Sequence, residues 1–255
     1  MKIFVLIKQV PDTETRIKVD GPKINEAGVK WIVSPFDEHA IEEALKLKEK
    51  TSGQVTAITL GPDRGVEALR TAFALGVDRA IHIKDDSFNP LDISYAAGIL
   101  STILKKESAE IILSGHTAID SQSSMVPAMI AELLGCANIN NAIEVHVEND
   151  RIRCKREIEG GTAFMASEVP VVISAAKNLN SPRYPSLKGI MSAKKKEIET
   201  VSVSELSDGI FASRIEVVSL TLPPERPAGR IIEGASPQEK AIELVKLLRE
   251  EAKVI

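Results

Sequence analysis

Apolar residues recur in this chain in two rhythms, and the change of rhythm divides it. Up to residue 135, short continuous apolar runs alternate with stretches whose apolar positions return every three to four residues. The runs at 2–8, 54–60, 79–83 and 110–114 predict strands buried on both faces, as a covered parallel sheet requires. Between them, helices are predicted. Ser34 suits an N-cap, Pro35 the first helical position, and Asp37 and Glu38 a first turn that the helix dipole makes favourable for acids. Ile41, Ala44, Leu45 and Leu47 form the inner face of that helix. Further helices are expected over 66–75, stopped by Gly76, and over 93–104, with Leu100, Ile103 and Leu104 inward. Another spans 126–134, with Leu133 inward and Gly135 as its stop. A short excursion over 13–20 turns back at Gly21-Pro22. Strand alternating with helix predicts an α/β fold built on a doubly wound, mostly parallel sheet. Ligands in such sheets lie beyond the carboxyl ends of the strands, which places Lys8 to Val10, Leu60-Gly61 and Ser114-Gly115 around one pocket.

After Gly135 the period drops to two. Residues 143–147 and 152–158 alternate around Asn149-Asp150 and read as an antiparallel hairpin inserted in the fold. Glu159-Gly160-Gly161 makes a second turn, and 169–175 returns as a buried strand. A proline-bounded loop over 181–185 and a basic segment over 191–196 follow. The prolines of 223–236 describe an arm leading to an amphipathic helix over 237–253, with Ala241, Leu244, Val245, Leu247 and Leu248 on one side. Two parts result: an α/β domain over 1–222 and a C-terminal arm over 223–255. The terminal helix must bury its apolar side against the chain's own core or a partner subunit.

Composition narrows the classes. A hydrophobic fraction of 44% and a net charge of −4 describe a globular chain with no electrostatic case for nucleic acid. No apolar run is long enough to span a bilayer, and the start lacks a small-residue cleavage site. Cys136 and Cys154 form no CxxC, and His39, His82, His116 and His146 show no metal-ligand spacing, so neither a disulfide framework nor a metal site is expected. The simplest compartment is a bacterial cytoplasm. Neither GxGxxG nor GxxxxGK[ST] occurs, which disfavours a Rossmann dinucleotide site and a P-loop.

The candidate chemistry lies between the strand at 110–114 and the helix at 126. Thr117, Asp120, Ser121, Ser123 and Ser124 crowd a loop that feeds a helix N-terminus, where free backbone N–H groups favour an anion such as phosphate. The same side chains could instead simply cap the helix.

Longer motifs carry a family resemblance. CKREIEGGTAFMASEVPVVISA (154–175) resembles a signature of the electron transfer flavoprotein β subunit, and NSPRYPSLKGIMSAKKKEIE (180–199) resembles that family's recognition loop and basic helix. SPFDEHAIEEALKLKEK, TLGPDRGVEALRTAFALGVDRAIHI and LPPERPAG match it in order, so the resemblance covers essentially the whole chain. It implies an adenine nucleotide α-hydrolase-like fold in an αβ heterodimer. Such a carrier passes single electrons from acyl-CoA and related dehydrogenases to a quinone oxidoreductase or another acceptor, without chemistry on substrate. Its FAD lies mainly in the α subunit, and AMP is buried in the β subunit.

The positions matching the AMP site are Leu6, Ser34, Pro35, Phe36, Asp37, Leu60, Gly115, His116, Thr117, Ala118, Ile119, Asp120, Ser121, Gln122, Ser123, Ser124, Met125 and Val126. Arg156 and Glu157 match positions at the flavin face, where a carboxylate would disfavour the extra negative charge of reduced flavin; as hairpin charges they need no flavin. Arg183, Tyr184, Pro185, Ser186, Leu187, Lys188, Gly189, Ile190 and Met191 match the dehydrogenase-recognition segment, with Leu187 as the anchor. The pocket loop reads AIDSQSSMVP, whereas a bifurcating branch with a second FAD there usually reads DGDTAQVGP. AMP is therefore preferred over a second FAD, since the loop lacks the small glycine pair that a dinucleotide's close approach would use. A stand-alone universal-stress-like nucleotide-binding module would share the sheet and pocket, but would leave the hairpin, the RYPSL loop and the arm without a use.

Overall fold

The computed structural model describes residues 1–148, 151–206, 212–225 and 228–255. In chain order the elements begin with β1 (Lys2–Leu6), β2 (Gln9–Pro11), β3 (Val19–Asp20), β4 (Lys23–Ile24), β5 (Trp31–Val33) and α1 (Pro35–Thr51). They continue with β6 (Gln54–Gly61), α2 (Val66–Leu75), β7 (Arg79–Lys84), α3 (Ile93–Lys106), β8 (Ile111–Gly115) and α4 (Val126–Leu134). Next come β9 (Ala137–Glu148), β10 (Arg151–Ile158), β11 (Gly161–Glu168), β12 (Val171–Ala175), α5 (Leu187–Ala193), β13 (Glu199–Ser202), α6 (Val203–Leu206) and α7 (Pro237–Glu250).

Nine strands form one sheet in the order β11-β10-β9-β12-β8-β1-β6-β7-β13. From β9 through β13 the pairings are parallel, and β9-β10-β11 adds an antiparallel rim. This is the expected α/β, mostly parallel sheet. The chain leaves β1 toward β6 on one side and returns to β8 on the other, so the order reverses at β1. Such a switch point opens a crevice beyond the strand ends.

Strand side chains alternate between two layers. Ile3, Val5, Ile111 and Leu113 join the layer under α1 and α2; Phe4, Leu6 and Ile112 join the layer under α3 and α4. Each fully buried Ile or Leu there contributes about 1.5–3 kcal/mol, which is why the central strands read as unbroken apolar runs.

The structure departs from the sequence expectations in five places. β9 begins at Ala137, well before the alternating stretch, because its first half pairs in parallel with β12 and only its second half enters the hairpin. β11 is a full strand where the sequence predicts only a turn; its side chains are mostly exposed, so no burial rhythm marks it. β13 pairs in parallel with β7 inside a stretch that reads only as polar. Residues 187–193, which straddle the boundary between the expected loop and the basic segment, form helix α5. Leu133 is 46% exposed, and Pro127, Ile130 and Ala131 are the buried residues of α4. In VPAMIAELL nearly every position is apolar, so periodicity cannot choose a face.

The turn expected at Asn149-Asp150 and the Arg226-Pro227 part of the arm lie outside the described residues. Helix α7 forms as expected, capped by Ser236 Oγ accepting from the Glu239 N–H, but none of its residues is buried in this chain.

Candidate nucleotide cleft and docking loop

A cleft opens at the switch point, lined by Leu6, Ile7 and Lys8 from β1 and its exit, and by Ile58 and Leu60 from β6. Ser114 to Ala118, Ser121, Ser123 and Ser124 line it from the loop after β8, and Met125, Val126 and Pro127 from the start of α4. It holds about 790 Å³ of space between protein atoms, its open mouth included. Phe88, Pro90, Ile93 and Ala96 complete one wall. Sequence reasoning missed that wall: Asn89-Pro90 and the N-cap Asp92 signal a turn into a helix, but nothing in them signals which way the turn faces.

Asp37 is the keystone of the cleft. It sits in the first turn of α1, and its Oδ2 accepts the Lys8 N–H at 2.8 Å while its Oδ1 accepts the Gly115 N–H at 2.9 Å. One carboxylate thus ties the exits of β1 and β8, the two strands that flank the crevice. Burial pushes its carboxyl up to about 7, against the pull of the two N–H donors and the Lys8 charge. A carboxyl at 3.8 when unfolded and about 7 when folded binds its proton more tightly in the native state between those values. Its contribution to stability is therefore greatest at the acid end and falls as pH rises toward neutrality. An asparagine in its place would not titrate, and its amide would set an N–H donor against a backbone N–H. Asp37→Asn should accordingly be most destabilising at mildly acid pH, and its deficit should shrink by at most about 1.4 kcal/mol per pH unit up to neutrality. Urea unfolding of both proteins across that range measures the trend; a deficit that grows with pH would show that the carboxylate is the favoured native form.

The side chains of the loop from His116 to Met125 do not cap helix α4. The N-cap position of α4 is Met125, and no side chain caps it, so the serines do not perform the capping role that the sequence left open. Gln122 and Ser124 adopt positive φ of 51° and 54°. His116 Nδ1 and Thr117 Oγ1 are buried without hydrogen-bond partners, a cost in an apolar setting unless something else satisfies them. Burial, and then the Arg156 charge, lower the His116 pKa, which favours the neutral imidazole. The uncapped helix start and the two orphaned polar atoms fit a polar, anionic ligand.

Not every expected site residue reaches the cleft. Asp120 turns to Lys8, its carboxylate 2.8 Å from Nζ, and Ile119 and Gln122 are likewise absent from the lining. Ser34 is fully buried, but its Oγ caps nothing and has no partner. Ser34, Pro35 and Phe36 are absent from the cleft lining, with Phe36 edge-on to His116 at 6.4 Å. Arg156, on β10, is close enough for its charge to act on His116 and has a buried, unpartnered Nε; Glu157 beside it is exposed.

A second feature lies outside the cleft, on the segment over 183–191 that runs from α1 to α2. Tyr184 is 95%, Leu187 83% and Met191 70% exposed, an apolar row one helical turn apart at Leu187 and Met191. The helix that carries it is firmly seated. Ser186 Oγ caps it by accepting the Gly189 N–H at 3.0 Å, and a side chain at Gly189 would collide with the Ala74 carbonyl of α2. Arg70 of α2 donates to the carbonyls of Ala193 (2.6 Å) and Lys196. Upstream, Arg183 is held by α1: Glu42 accepts from its backbone N–H, Nε and Nη2 at 3.1, 2.8 and 3.1 Å, and Glu49 from Nη1 at 2.8 Å. Of the expected docking residues, Arg183 is thus turned inward to α1 and Gly189 to α2, while Tyr184, Pro185, Ser186, Leu187, Lys188, Ile190 and Met191 are exposed, Ile190 the least of the large apolar ones.

Comparison with known proteins agrees with this architecture. A family model described as the electron transfer flavoprotein domain matches residues 23–206. The electron transfer flavoprotein subunit beta of Bacillus subtilis is 39% identical over 100% of both chains. That of Syntrophomonas wolfei is 37% identical over 100% of this chain and 98% of its own. The mitochondrial subunit beta of Oryza sativa is 36% identical over 100% of both. With relatives matched along its full length and the family model across residues 23–206, this chain belongs to the electron transfer flavoprotein β-subunit family.

Proposed function

We propose that this chain is the β subunit of a heterodimeric electron carrier that takes electrons from dehydrogenases of the acyl-CoA type and delivers them to a quinone oxidoreductase or another acceptor. It performs no chemistry on substrate itself. FAD, held mainly by the α subunit, supplies the one-electron chemistry, with Arg156 and Glu157 toward the flavin. AMP occupies the switch-point cleft as a structural ligand. Residues 1–222 form the nucleotide domain, and the arm of 223–255 packs on the α subunit, which gives the exposed apolar side of α7 a place to bury. No helix among the described residues is long and apolar enough to cross a membrane, and the carrier is assigned to a bacterial cytoplasm, in fatty acid oxidation.

The observation that carries the nucleotide assignment is the uncapped start of α4 beside the orphaned His116 and Thr117 atoms. The α4 N-terminus and the loop serines would hold the phosphate, Thr117 and His116 the remaining polar groups, and Leu6, Leu60 and Val126 the apolar face of the base. Denaturing the purified complex should release AMP along with one FAD. Two FAD and no AMP would instead identify the bifurcating form.

Thr117→Val tests the loop directly. The change removes an unsatisfied hydroxyl at constant shape, so the nucleotide-free protein should be as stable as before or more so. The loaded complex should retain less AMP and lose part of the ligand's mass-action stabilisation, about 2.7 kcal/mol at a hundredfold excess over the dissociation constant. Unchanged AMP content and melting temperature would reduce the loop to a turn.

A further inference from the structure

Helix α1 carries a face that neither the cleft nor the core explains. Residues 39, 42, 43 and 49 recur at helical spacing on one side, and each holds a piece of the loop that leads to the exposed row on α5. His39 Nδ1 lies 3.1 Å from the Asn180 carbonyl, and Asn180 Nδ2 donates to the His39 carbonyl at 2.9 Å and to Glu43 at 3.0 Å. Glu42 and Glu49 divide the guanidinium of Arg183 between them. Glu42 is buried, and it also binds the Arg183 main-chain N–H.

A buried ion pair is a poor device for stability, since desolvating both charges offsets their attraction. What this arrangement supplies is position. Three donors from one residue, main chain included, converge on one carboxylate, which fixes the path of the loop as well as its charge. Downstream, the cap at Ser186 and the close approach at Gly189 fix the first turn of α5 on α2. The segment between has no regular structure. Without the α1 clamp it would hang from one end only.

We propose that Glu42 is a positioning residue for electron transfer: through Arg183 it holds the 181–186 loop on α1, so that Tyr184 and Leu187 meet the dehydrogenase already ordered. The proposal rests on the docking reading of Leu187. An unclamped loop would have to be ordered at each encounter, so the loss should appear in affinity rather than in the electron-transfer step.

The test uses the purified complex with its α subunit, comparing Glu42→Ala, Glu42→Gln and Leu187→Ala. Glu42→Ala should raise the KM for the complex in a dehydrogenase-coupled assay roughly tenfold with kcat nearly unchanged, and should speed tryptic cleavage after Arg183. Glu42→Gln keeps an acceptor oxygen without the charge and should fall between wild type and Glu42→Ala in both readouts. Leu187→Ala should raise KM without altering cleavage. If Glu42→Ala proves unstable, Glu42→Gln combined with Arg183→Gln removes both charges and should show the same rise in KM. An unchanged KM in the Glu42 variants beside a raised KM in Leu187→Ala would overturn the positioning role and leave the docking reading standing. An unchanged KM in all of them would overturn both.

Discussion

Gly115→Ala should cost about 2–6 kcal/mol of stability and empty the cleft of nucleotide. A Cβ at Gly115 would lie 2.5 Å from Asp37 Oδ1, 2.7 Å from Phe36 Cβ and 2.8 Å from the Phe36 carbonyl carbon. Little can move aside. Gly115 is the last residue of a strand paired in register with β12, and Phe36 and Asp37 begin a helix whose inner face is fully buried. Overpacking of this kind costs about 1–3 kcal/mol, and forcing Asp37 off its two N–H partners adds about 1–3 kcal/mol for groups left buried and unpaired. The damage falls where β1, β8 and α1 meet, so the nucleotide should be lost with the stability. Gly161→Ala is the control: its Cβ would meet nothing within 4 Å, and the change should stay within about 0.5 kcal/mol. Urea midpoints and bound AMP, measured on both, decide the matter; a Gly115→Ala protein that matches the control would mean that α1 can retreat from the strand end.

Leu187→Ala should do the reverse, sparing the fold and weakening the encounter. The side chain contributes almost nothing to the core, being 83% exposed on a helix seated through other residues. Melting temperature, flavin and nucleotide should therefore be unchanged. Burying a Leu in a partner's pocket contributes about 1.5–3 kcal/mol, so dehydrogenase affinity should fall roughly tenfold to a hundredfold, mainly through faster dissociation. Transfer to a small artificial acceptor should not change. Ile130→Ala provides the contrast. Ile130 is fully buried in α4, and its truncation should cost about 2–5 kcal/mol of stability. If Leu187→Ala melts early as well, Leu187 is part of the core and the docking row is wrongly placed.

How much of this is legible in the sequence depends on where each residue's constraint comes from. The central strands and their helices announce themselves, because burial on both faces leaves only apolar residues, and caps such as Gly76 and Gly135 mark the ends. The start of β9 is hidden by Asn138, Asn140 and Asn141, polar residues in the stretch that runs alongside β12. Strand β11 is hidden because a rim strand obeys no burial rhythm. In the cleft, the strand ends and the serine loop follow from topology, but the roles within it do not. Asp37 reads as a helix-dipole acid and proves to be a bridge between strands, a fact that lives in the β1–β8 spacing. Nothing in the sequence singles out Glu42, whose role follows only from the 180–183 loop lying across it.

The rim strand has a kinetic consequence. Among the described residues β11 has a neighbour on one side only, and its residues GTAFMASE carry a single charge, with Phe164 80% exposed. Open backbone groups on a nearly uncharged edge form a template for a second edge of the same kind. Self-pairing through that edge is second order in the free chain, so its rate falls with the square of concentration: keeping the chain dilute protects this sheet more than added stability could.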